Sequence, residues 1–123
     1  MDLFAILVLA AAHALVDTFA LMIQPLWPDL QTRFSLSDPA IQAVYLLWTL
    51  CTSMTQFLFA WLGDRRQARW LVWGGMTSAV CCIGMLGRCE SAPQLALVLL
   101  LGGLGVGAFH PEAAALEIGR AHV

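Results

Sequence analysis

The sequence predicts an all-α, polytopic membrane protein with four transmembrane helices. Apolar residues make up 60% of the chain, charged residues only 11%, and lysine is absent. So little polar surface cannot coat a water-soluble domain of this size. The apolar residues fall into four runs separated by short polar turns, and one bilayer crossing takes about 20 such residues. The formal net charge of −2 decides nothing, because in a membrane protein the placement of charges matters more than their sum, but there is no basic run, so no nucleic-acid partner is expected.

The first span is expected over residues 3–25. It is interrupted only by His13 and Asp17, and Gln24, Pro25, Trp27 and Pro28 should end or kink it. Only Asp2 precedes the apolar run, whereas a cleaved secretory leader needs a positive start, so the segment reads as a retained span. A polar connection, residues 29–38, leads to Asp38-Pro39, which reads as an N-cap followed by proline at the first helical position. The second span, 40–63, has no charge between Ile41 and Gly63. After the turn Asp64 to Arg69 comes a third span, 70–87, and after Arg88 to Pro93 a fourth, 94–112.

Trp27, Trp61, Trp70 and Trp73 fall near span ends, where indole anchors at the membrane interface. Gly103 and Gly107 have the small-x-x-x-small spacing that lets helices approach closely. The four cysteines show no metal or redox spacing and read as small packing residues. No strand precedes the glycines at 102–107, which removes a dinucleotide-binding reading. Neither a metal nor a cofactor is expected.

Three of the six arginines, Arg65, Arg66 and Arg69, lie in the turn between spans two and three, while the other connections carry one arginine each, offset by acids. This asymmetry puts that turn, and by parity the N-terminus, on the cytoplasmic side of a bacterial inner membrane. Within it, Asp64 can pair with an arginine or accept from a helix N-terminus, a charge latch between the ends of spans two and three.

His13 and Asp17 are four residues apart and share one helix face. A charged group at the bilayer centre costs about 2.5 to 3.5 kcal/mol on insertion scales, so such residues usually face a cavity or a partner. Carboxylate and imidazole together are expected to bind protons, with Gln24, Gln42 and Gln56 as candidate cavity linings. Counting about 1.5 Å per residue from each span's start puts His110 and Glu112 on the order of 10 to 18 Å nearer the cytoplasm than His13 and Asp17. That separation predicts two sites, not one, with His110 and Glu112 acting as an inner relay or gate. Pro111 should bend or break the helix there.

Three segments together carry a family resemblance. Ala60-Trp61-Leu62-Gly63-Asp64-Arg65-Arg66-Gln67-Ala68-Arg69 resembles the signature between the second and third spans of the major facilitator superfamily. Gly105-Val106-Gly107-Ala108-Phe109-His110-Pro111-Glu112-Ala113 is similar to the fourth-span motif of its fosmidomycin-resistance branch, and His13-x-x-x-Asp17 fits the same branch. Ala60 stands where the signature usually has glycine, Ala68 where a basic residue is common, and span four lacks the arginine of many drug antiporters. The resemblance implies the first four spans of a twelve-span, proton-driven exporter of small molecules such as fosmidomycin-like drugs or related anionic solutes. It implies a monomeric full-length protein whose partners are solute, protons and lipid. The chain alone is expected to insert without transporting.

Residues 117–123 also match the in-frame translation of a widely used sequencing adapter and are expected to be an artefact. Two other functions compete. A small four-span transporter working as a dimer would fit the length. A membrane-embedded metalloenzyme would use His13, Asp17, His110 and Glu112 as ligands, since imidazole and carboxylate suit zinc, but the depth difference counts against it, and no enzyme activity is expected.

Overall fold

A computed structural model of the protein describes residues 3–66 and 69–117, without the side chains of Arg66 and Glu117. The adapter-like residues 118–123 lie outside the described residues. Everything described is helix or short turn. Helix α1 is Leu3–Met22 and α2 is Trp27–Arg33, joined through a 3₁₀ turn at Gln24–Leu26. Helix α3, Asp38–Thr49, passes through a π-helical turn at Leu50–Met54 into α4, Thr55–Arg66. Helix α5, Trp70–Gly84, and a 3₁₀ turn at Leu86–Arg88 precede α6, Ala92–Glu117.

Among the described residues, three continuous stretches are long and apolar enough to cross a membrane: Leu3–Arg33, Asp38–Arg65 and Ala92–Leu116. Helix α5 is a shorter apolar helix. The four-helix, all-α expectation is met.

Span one does not stop near Pro25. Proline is tolerated in the first turn of a helix, where its missing N–H would have no partner anyway. Pro25 starts the 3₁₀ turn and Pro28 opens α2, so the chain stays helical to Arg33. Arg33 then ties this end of the span to the segment before α6: its Nη2 donates to the carbonyls of Gly87 at 3.1 Å and Cys89 at 2.9 Å. Burial pushes the Cys89 thiol above its ordinary range, and the Arg33 charge pulls it partly back. Because Arg33 itself is exposed, Arg33→Ala is expected to cost only about 1 kcal/mol, read as a drop of a few degrees in the thermal midpoint.

At the start of α3 the N-cap is Ser37, in extended conformation, and not Asp38. The Asp38 carboxylate instead accepts from Gln31 Nε2 at 2.7 Å, bridging α2 to α3. The turn between them is tight, with Ser35 in the left-handed region at φ 49°.

Helix α6 is the hub. Half of its most apolar window is buried, against 17% for span one and 11% for span two. Phe109, Leu95, Leu99, Val16, Ile23 and Leu71 are its fully buried neighbours and members. Glycine lets the backbones touch: a β-carbon on Gly105 would lie 2.6 Å from the Ala79 nitrogen and 2.7 Å from the Gly75 oxygen. On another face of α6, a β-carbon on Gly103 would lie 2.7 Å from Cys51 Cβ, and one on Gly107 would meet the Cys51 carbonyl at 2.7 Å. The expected Gly103/Gly107 seam thus receives the π turn of span two. Thr52 and Thr55 hydroxyls donate back to the carbonyls of Trp48 and Cys51 around that turn, and such back-bonding accompanies bent helices. Helix α6 itself runs unbroken past Pro111 to Glu117, so of the bend or break expected there the break does not occur.

Trp61, Trp70 and Trp73 are exposed, as interfacial anchors require, and Trp27 packs against the core. Cys51 and Cys89 are buried, Cys82 is intermediate and Cys81 exposed, all as free thiols.

Candidate functional site

His110 on α6 reaches across to α1. Its Nε2 lies 2.9 Å from Asp17 Oδ1, and His13 Nε2 lies 4.0 Å from Asp17 Oδ2. The three ligand-type atoms all fall within 4.8 Å of one another. The His13 ring stands edge-on to His110, centroids 4.9 Å apart, and to Phe109 at 5.4 Å. Phe109 is fully buried and backs the cluster, while the Asp17 side chain remains 49% exposed.

The expected depth difference between His13/Asp17 and His110 is therefore wrong. Its origin is the length of span one. Measured down from the Arg33 tie, Asp17 is about 24 Å along a helix, and His110 is about 27 Å down from Ala92. The two are level because span one extends to Arg33, not Pro25.

The hydrogen bonds determine the protonation pattern. His110 Nδ1 is 2.8 Å from the Val106 carbonyl oxygen, which only accepts, so Nδ1 carries an N–H. In a neutral ring Nε2 is then a lone pair, and it faces a carboxylate oxygen at hydrogen-bond distance. Two lone pairs cannot make that contact. One proton must sit between Asp17 and His110, on the ring or on the carboxyl.

Glu112 belongs elsewhere. Two residues on from His110, it points to the opposite side of α6, is nearly buried, and lies against Gly63 so closely that a β-carbon there would overlap its carboxylate. The four-ligand set proposed for a metalloenzyme is thus not assembled: His13, Asp17 and His110 converge, and Glu112 lies against Gly63 in α4. Nothing in the sequence signals the Gly63–Glu112 contact beyond both residues lying in motifs.

Asp64 and Arg65 lie in the last turn of α4, and Arg69 caps α5, where Val72 N donates to its carbonyl at 3.2 Å. The Arg65 guanidinium lies over the Trp61 ring, 4.4 Å from its centroid. The Arg66 side chain, with Gln67 and Ala68, lies outside the described residues. Gln24 is exposed in the 3₁₀ turn, about 10 Å along the helix from Asp17, and is not part of the cluster. Gln56 Nε2 donates to the Thr52 carbonyl at 2.7 Å. Gln42 lines a groove with Trp27, Gln31 and Tyr45.

Comparison with known proteins bears on this geometry. The family model of the Major Facilitator Superfamily matches residues 8–116. The chain is 29% identical over 104 residues to the fosmidomycin resistance protein of Escherichia coli (strain K12), an alignment covering 85% of this chain and 26% of that protein. The chain thus spans about a quarter of the length of this curated relative. No solved structure matches.

Proposed function

The chain belongs to the major facilitator superfamily, and from that premise we propose that it forms the first spans of a proton-coupled secondary transporter that exports small molecules. The observation that carries the reading is the Asp17–His110 contact, which requires a bound proton. It joins span one to span four, so gain or loss of that proton changes what holds the two helices together. A proton that stabilises one arrangement of the helices over another is the minimum a coupled transporter needs.

The resemblance to a fosmidomycin resistance protein favours phosphonate-like drugs or related anionic solutes as cargo. Asp64, Arg65, Arg66 and Arg69, with Glu112 behind Gly63, form the inner gate in this reading, on the cytoplasmic side of the inner membrane together with the N-terminus. The working unit is a monomer.

The test is export by the full-length transporter in proteoliposomes. An imposed pH gradient is expected to accelerate solute movement against its gradient, and a protonophore to abolish the acceleration. Transport indifferent to both would end the proton-coupled reading.

A further inference from the structure

We propose that His13, Asp17 and His110 also form a binding site for a late first-row divalent cation of the Zn²⁺ class, which enters by displacing the proton shared by Asp17 and His110. The inference uses the same side chains as the proton site but does not need transport to be proton-driven.

The donor set is two imidazoles and one carboxylate, which suits zinc and its neighbours and is poor for magnesium. In a tetrahedral zinc site with bonds of about 2.1 Å the ligand atoms stand about 3.4 Å apart. Here Nε2 of His110 and Oδ1 of Asp17 are 2.9 Å apart, Nε2 of His13 and Oδ2 of Asp17 are 4.0 Å apart, and none of the three ligand positions exceeds 4.8 Å. Side-chain shifts of about 1 Å reconcile the two sets.

Three further features make this more than a chance cluster. His110 Nδ1 donates to the Val106 carbonyl, the outer hydrogen bond that orients a ligating imidazole and leaves Nε2 for the metal. His13 and Asp17 are fixed at i, i+4 on one helix, so only one interhelical distance must hold. Asp17 is 49% exposed among the described residues, which leaves a fourth ligand position unfilled by them. The exchange balances: Zn²⁺ binds Asp17 as carboxylate and both imidazoles as neutral ligands, and the shared proton leaves to solvent.

The experiment is calorimetric titration of ZnCl₂ into the full-length transporter, purified in detergent at neutral pH, in two buffers of different ionisation enthalpy. Saturable binding of about one ion per molecule is expected, with release of about one proton. Asp17→Asn and His110→Ala should each weaken binding at least about tenfold, while MgCl₂ at the same concentration gives no saturation. A variant with Cys51, Cys81, Cys82 and Cys89 all changed to alanine should bind as the parent does. If Asp17→Asn fails to elute as a monodisperse peak, His13→Gln supplies the same comparison. No saturable Zn²⁺ binding, binding unchanged in the site variants, or binding lost with the thiols would each overturn the inference. Proton-driven export without Zn²⁺ binding would remove only the metal site; Zn²⁺ binding with export indifferent to pH would remove only the coupling.

Discussion

Asp17→Asn in the full-length transporter is expected to lower proton-driven export by roughly a hundredfold, the scale on which a positioned proton donor or acceptor contributes. The asparagine amide keeps the size and the hydrogen-bonding capacity of the carboxyl but cannot take up a proton. It can still donate to His110 Nε2, so the bridge between α1 and α6 persists in a single protonation state. Solute exchange without net proton movement should therefore survive within about threefold. Counterflow and gradient-driven export, measured on the same vesicles, separate the two. His110→Ala should impair export as well, since Asp17 then loses the ring 2.9 Å away. Gradient-driven export by Asp17→Asn near the parent rate would show that this carboxyl does not carry the coupled proton.

Gly105→Leu should destabilise the protein by more than about 3 kcal/mol, beyond the usual range for over-packing a core. In most cores an added side chain pushes against other side chains, which can change rotamer. At Gly105 the obstacle is backbone: the Gly75 carbonyl and the Ala79 amide nitrogen lie within 2.7 Å of where a β-carbon would sit. Helices α5 and α6 would have to separate, and with them the plane of α6 that presents His110. The expected result is loss of the monodisperse detergent-solubilised protein or a large fall in its thermal midpoint. Gly87→Ala is the matched comparison, because nothing lies within 4 Å of a β-carbon there. Equal midpoints for Gly105→Leu and Gly87→Ala would contradict the close α5–α6 packing.

Much of this was legible in the residues. The apolar runs and the scarcity of charge dictate a membrane protein, because four stretches so poor in charge have no other solvent to fold in. The motifs at 60–69 and 105–113 pointed to the superfamily that the family model matches over residues 8–116. Helix pitch alone put His13 and Asp17 on one face. Composition could not place the end of span one, because a proline in the first turn of α2 looks the same in sequence as a proline that stops a helix. That error propagated, and a wrong end for span one made His110 seem a separate site.

What the sequence by itself determined is the class of the protein and which few ionisable groups its spans carry, since both follow from local chemistry along the chain. Only the tertiary structure decided that His110 pairs with Asp17 and that Glu112 turns away to Gly63. The physical reason is that the offset between two helices is not encoded in either one. It is set where they touch, by Arg33 holding the Gly87 and Cys89 carbonyls at one end and by glycine backbones meeting along α5 and α6.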